Sequence, residues 1–446
     1  MSETTGRAGA SFNSFLLVPI LLFFALLTVA VLRSPNLITG SGLGGAEIVV
    51  APLVLSTYAL MATALAGRAT VDLSIGPLIG FINVTTIQLG AADILASPVA
   101  VFAYVLAAGV AYQLLFGLLV ILVRVQPIIV SLSGFLALSG INLVILPRPG
   151  GVAPDWMGSW SLGTSIFSPV LFVVLAATAG WLLFTTTPFY GHLRLMGADE
   201  RAAYTSGVRV GIVRLGAHAL AGMFAGLAAL SYTALIDSGD PTQGTTYTLI
   251  SVTALVLGGT SLAGGRATVM GSLLGALNLF LIGYVLSTFS FGDVQGFVTD
   301  LCYGVILVLS LLLTLLLPLL SRWIRHVSPL PVFVVLGLVF TGVALHATFD
   351  YAGLPPGVAA GSDTASGGLV FVQSGDRAVL PRSAFATVVT QAGVLLLCAV
   401  AILRLLVWQA GKRAMTPLLY VLLAGLVIAG GWLLISLSIT VARAGV

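Results

Sequence analysis

The stretch GADERAAYTSGVRVGIVRLGAHALAGMFAGLAAL, Gly197–Leu230, changes character part-way along. Its first 14 residues carry four charges, Asp199, Glu200, Arg201 and Arg209, in a chain that is only 7% charged. The rest is an apolar run long enough to cross a bilayer, which takes about 20 residues. Ala198, Ala202 and Ala203 favour helix in the polar part. Asp199 and Glu200 sit where a helix N-terminus attracts negative charge, and Gly207 is placed to end the helix. The local pattern predicts a short polar helix between two spans. Two roles are open to it: an interfacial connector, or a surface whose small side chains let another protein approach closely.

Working outward, the chain has 446 residues, 59% of them hydrophobic. Soluble domains average about 25% charged residues, so this composition excludes one and predicts an all-α polytopic membrane protein. Candidate spans lie at roughly 15–32, 47–66, 73–89, 97–123, 128–146, 166–186, 212–236, 246–260, 268–288 and 297–320, with three more near 331–347, 387–408 and 416–440. The first run is long for a signal peptide and lacks a convincing cleavage site, so it is expected to be a retained span. Lys and Arg mark the cytoplasmic side. With the N-terminus inside, 13 of the 18 basic residues fall on cytoplasmic ends and five outside. That orientation puts Gly197–Gly207 in the cytoplasm and most carboxylates, Asp237 and Asp240 among them, on the outer face. No basic patch interleaved with aromatics suggests nucleic acid. Cys302 and Cys398 lie in apolar runs and suggest neither disulfide nor metal.

RLMGADERAAYTSGVRVGIVRLGAHALAGMFAGLAAL, Arg194–Leu230, resembles the cytoplasmic loop of binding-protein-dependent ABC sugar permeases of the ribose type. Gly197, Ala202, Ala203, Ser206 and Gly207 match that pattern, with Asp199 replacing an Asn and Val208 an Ile. Four further segments resemble the family in order: SPNLIT; TVDLSIGPLIGF; VQPIIVSLSGFLALSGI; and GDPTQGTTYTLISVTALVLGGTSLAGGRATVMGSLLGA. The resemblance covers about residues 15–325. It implies a permease core of about ten helices at 15–325, after a cytoplasmic tail at 1–14. It also implies that Gly197, Ala198, Asp199, Glu200, Arg201, Ala202, Ala203, Ser206 and Gly207 form a coupling helix seated on a separate ABC ATPase subunit. The other implied partners are an extracytoplasmic solute-binding protein and a second permease copy or paralogue, all at a bacterial plasma membrane. ATP and Mg would belong to the ATPase, with no cofactor in this chain. The expected cargo is a monosaccharide such as ribose; nucleosides, branched-chain amino acids or, in a different class, ion-coupled secondary transport are the alternatives.

The remaining motifs are read from their chemistry. Asp72 and Ser74 open the third span with Gly76 and Pro77, either as a helix cap or as a polar break lining the pathway. Asn83, Gln88, Gln113, Ser131, Ser133, Asn142 and Asn278 are polar positions inside spans; Asp72, Ser74, Asn83, Ser133, Asn142 and Asn278 are the candidate pathway residues. Interhelical hydrogen bonds are the alternative role for each. GGTSLAGGR, Gly258–Arg266, predicts a tight turn and lacks the lysine of a phosphate-binding loop. The four histidines, His218 among them, show no metal-ligand spacing. No catalytic residue or metal site is expected. Residues 326–446 form an extension beyond the family's usual end. It has three predicted spans and a loop at 348–386, where LVFVQSGDRAVLP predicts a hairpin turning at Ser374–Gly375.

Overall fold

The computed structural model describes residues 16–67, 71–160, 167–289, 298–299, 301–306 and 308, together with 373–374 and 377–378. The chain divides into two compact units, Phe15–Arg325 and a second made of Met1–Ser14 with His326–Val446. In the second, Gln373–Ser374 pairs antiparallel with Arg377–Ala378. Gln373 is opposite Ala378 and Ser374 opposite Arg377; the predicted turn position Gly375 lies outside the described residues. The three C-terminal predicted spans, the 1–14 tail and most of the tenth predicted span, 297–320, lie outside the described residues.

The Phe15–Arg325 unit is built from helices: α1 (Leu17–Arg33), α2 (Gly40–Leu65), α3 (Ile75–Ala91), α4 (Pro98–Leu118, continued by a π turn at Leu119–Val123), α5 (Pro127–Ile145), α6 (Asp155–Gly158), α7 (Pro169–Phe184), α8 (Pro188–Ala198), α9 (Glu200–Thr205), α10 (Val210–Ile236), α11 (Thr246–Leu257) and α12 (Val269–Ser287) among the described residues. Three of them start on the same local chemistry, a Ser or Thr followed by Pro. Ser97 caps α4, Ser168 caps α7 and Thr187 caps α8, each accepting a backbone N–H one turn on. Proline costs nothing at the first helical position, where no N–H is needed.

Most predicted spans match a helix to within a few residues, and two differ in kind. α2 begins at Gly40 rather than near 47, because Thr39 accepts from Gly42 N–H and carries the glycine-rich stretch into the helix. α11 has only 12 residues. At about 1.5 Å per residue it is roughly 18 Å long, well short of the hydrocarbon thickness. Its start lies against the start of α3, where Thr248 Oγ1 donates to Leu73 O at 3.0 Å. The segment between α10 and α11 therefore runs down beside α3 before the half-length helix begins.

α10 is the central helix and packs on both α4 and α2. Gly222 and Gly226 permit its close approach to α4. A Cβ on Gly222 would come 2.5 Å from Gly109 O, and one on Gly226 would come 2.3 Å from Val105 O. Small residues four apart bring helix backbones into contact where apolar burial does not drive association. α7 and α8 are bent by 78° across Thr185–Thr187, which turns α8 off the span direction. α8 then delivers the chain to α9.

Candidate coupling and pathway site

The predicted coupling segment is not one helix. Gly197 and Ala198 are the last residues of α8. Asp199 takes an extended conformation (φ −153°, ψ 107°), which ends α8 and starts α9. Its Oδ1 accepts from Arg201 N–H at 2.9 Å and Ala202 N–H at 3.0 Å. Propensity alone could not show this break, since the alanines on both sides favour helix; the Asp side chain competes for the backbone N–H groups. Gly207 adopts φ +84° after α9 and lets the chain reverse into α10. Ala203 is buried, whereas Arg201, Ala202, Tyr204, Thr205 and Ser206 are exposed. α9 thus presents a small polar face with Tyr204, 74% exposed, at its centre.

Beneath α9 lies a junction of three chain segments. A Cβ on Gly197 would stand 1.9 Å from Leu65 O and 2.6 Å from Gly265 N. One on Gly264 would stand 2.3 Å from Gly67 Cα. Gly265 N–H donates to Leu65 O at 3.3 Å. The end of α2, the end of α8 and the 258–265 turn therefore meet backbone to backbone. The glycine-rich turn predicted from sequence is present, and its Gly264 and Gly265 serve this contact.

Glu200 faces inward rather than toward the exposed face. Arg214, on the first turns of α10, donates to Glu200 Oε2 at 2.9 Å, and the arginine is nearly buried. One turn further along α10, His218 Nδ1 lies 2.9 Å from Gln113 Oε1 on α4. Gln113 Nε2 donates to Asp72 Oδ2. Asp72 Oδ1 accepts from Ser74 N–H at 2.9 Å and Ser74 Oγ at 2.5 Å, in the turn that starts α3. Asp72, Ser74, Gln113 and His218 are all fully buried. Ser131 joins from α5 by accepting Leu73 N–H at 2.6 Å.

The structure separates the other predicted pathway residues. Asn83, on α3, donates to Thr233 Oγ1 at 3.0 Å and Ser238 O at 2.9 Å, and accepts from Asp240 N–H at 2.8 Å. Asn142, on α5, donates to Pro77 O at 3.0 Å. Asp72, Ser74, Asn83 and Asn142 thus lie along α3. Asn278 does not; it donates to Pro19 O at 2.9 Å and joins α12 to α1. Ser133 is exposed on α5. Arg214 and His218 belong to the buried cluster, yet their sequence signals pointed only to orientation and to absent metal spacing. The available signal was their i, i+4 spacing on one span.

The loop after α10 is stapled by Asp240. Its Oδ1 accepts from Thr242 N–H, Thr242 Oγ1 and Gln243 N–H at 2.8–2.9 Å. Partial burial pushes the carboxyl up, but the Gln243 and Thr242 donors outweigh it and hold the group below its ordinary range.

Comparison with known proteins shows the family. Residues 25–317 match the family model described as branched-chain amino acid transport system / permease component. The ribose import permease RbsC of Escherichia coli K12 is 28% identical over 249 residues, covering 54% of this chain and 76% of that protein. The ribose import permease RbsC of Bacillus subtilis is 32% identical over 203 residues, 44% of this chain and 62% of that protein. The galactose/methyl galactoside import permease MglC of E. coli K12 is 31% identical over 201 residues, covering 43% and 60%. With the family match running from α1 to beyond α12, the chain belongs to the family described as branched-chain amino acid transport system / permease component, and within that family it is similar to the ribose-type ABC import permeases.

Proposed function

We propose that this chain is the membrane subunit of an ATP-driven importer for a monosaccharide, ribose or a related sugar. A separate ABC ATPase docks on the exposed face of α9, and ATP and Mg are held by that partner. Two permease chains, identical or related, enclose the pathway, and a solute-binding protein delivers cargo from the opposite face. The N-terminus and α9 lie on the cytoplasmic side of a bacterial plasma membrane, as the arginine bias suggests. The observation that carries the reading is α9 itself. It is a six-residue exposed helix tied inward by Glu200–Arg214, on a chain similar to ribose import permeases. No step makes or breaks a bond in the solute; nucleotide-driven closure of the ATPases moves the membrane helices.

Affinity purification from native membranes after mild cross-linking tests the assembly. An ATPase and a solute-binding protein are expected to co-purify. Recovery of neither, together with uptake driven by an imposed ion gradient, would replace this reading with secondary transport. The family description favours a second cargo class, branched-chain amino acids. Thermal-shift screening of the co-purified binding protein with ribose, galactose, xylose, leucine and adenosine separates the classes.

A further inference from the structure

The polar groups leading inward from α9 form a connected line across three helices. Glu200 on α9 holds Arg214 on α10. His218 stands one turn along the same helix and meets Gln113 on α4. Gln113 meets Asp72, whose other oxygen holds the turn that opens α3. Each link has a direction. The Gln113 amide nitrogen faces Asp72 Oδ2 and the Gln113 carbonyl faces His218. That places the His218 proton on Nδ1. Nε2 is buried with no hydrogen-bond partner among the described residues.

Stability alone is a poor account of this line. Ordinary interhelical hydrogen bonds contribute only modestly. A carboxyl group fully buried, with no ion-pair partner among the described residues, works against that gain. Two of these helices, α4 and α10, are held at backbone contact by Gly109, Gly222 and Gly226, so they cannot separate to let the His218–Gln113 bond go slack. A displacement of the α9–α10 corner is either passed to Asp72 or breaks a buried hydrogen bond.

We propose that Gln113 is a positioning residue that relays movement of the α9–α10 corner, through His218 and Asp72, to the turn where α3 begins. The relay rests on the reading of α9 as the ATPase-docking helix. It makes α3, which carries Asn83 along its length, the element whose position nucleotide controls.

Hydrogen–deuterium exchange tests the relay without knowledge of the cargo. The full chain, with its co-purified ATPase in lipid nanodiscs, is compared with and without a non-hydrolysable ATP analogue and Mg. In the native protein the analogue is expected to change exchange at 199–207 and at 71–78. In Gln113→Met, matched in size but unable to hydrogen-bond, the change at 199–207 should persist while that at 71–78 falls by about fivefold or more. His218→Gln keeps a donor for the Gln113 carbonyl and should retain the response, whereas His218→Leu should lose it. That pair carries the test if Gln113→Met does not fold. An undiminished response at 71–78 in Gln113→Met or His218→Leu overturns the relay. Absence of any response at 199–207 in the native complex overturns the docking reading, and the relay with it.

Discussion

Arg214 on α10 reaches Glu200 on α9 with 2.9 Å between Nη2 and Oε2, and the two side chains are 7% and 24% exposed. The arginine is the more enclosed partner, so it loses most when the pair is broken. Glu200→Ala leaves a nearly buried guanidinium without this carboxylate. The expected loss is about 2 kcal/mol, below the range for fully buried pairs because Glu200 is partly solvated. Adding Arg214→Met should recover part of it. Unfolding of the single and double variants in one detergent checks this, and simple additivity would count against the pairing.

The exposed face of α9 makes a separate prediction. Arg201 and Tyr204 point away from the bundle. Arg201→Glu with Tyr204→Ala should lower recovery of the ATPase about tenfold or more, in line with truncating an interface hot spot. The melting temperature of the isolated permease should stay unchanged. Equal recovery of the ATPase would move the docking surface off α9.

Two glycines bracketing α9 should respond to alanine for different reasons. A Cβ at Gly197 collides with backbone of α2 and of the 258–265 turn. Backbone cannot step aside as a side chain can, so Gly197→Ala is expected to cost about 2–3 kcal/mol. At Gly207 nothing lies within 4 Å, but φ is +84°, so Gly207→Ala should cost about 1 kcal/mol through backbone strain alone. Thermal unfolding of both variants gives the ranking, and a reversed order would reject the junction.

Asp240 predicts an acid-sensitive loop. Its carboxyl lies below the ordinary value of 3.8. A depressed folded-state pKa contributes stability that is present above the unfolded value and lost as pH falls through the folded value. The difference in melting temperature between the native chain and Asp240→Asn should therefore be constant at neutral pH and shrink below about pH 4. A difference that is flat to lower pH would remove the charge from the account of this loop.

What the sequence by itself determined is what depends on neighbours along the chain. Hydropathy over about 20 residues sets a span, Ser or Thr before Pro starts α4, α7 and α8, and Gly207 ends α9. These are local free energies of transfer, capping and backbone conformation, and they survive without tertiary context. Only the tertiary structure decided which groups meet. It turned Glu200 inward to Arg214, left Gly197 and Ala198 on α8, and shortened the eighth predicted span to α11. It gathered Asp72, Gln113 and His218, 146 positions apart at their extremes (218 − 72), into one buried line, and sent Asn278 to α1. A polar residue on an apolar span announces that it needs a partner. Which partner it finds depends on how the helices cross, and here that follows from where glycine lets two backbones touch.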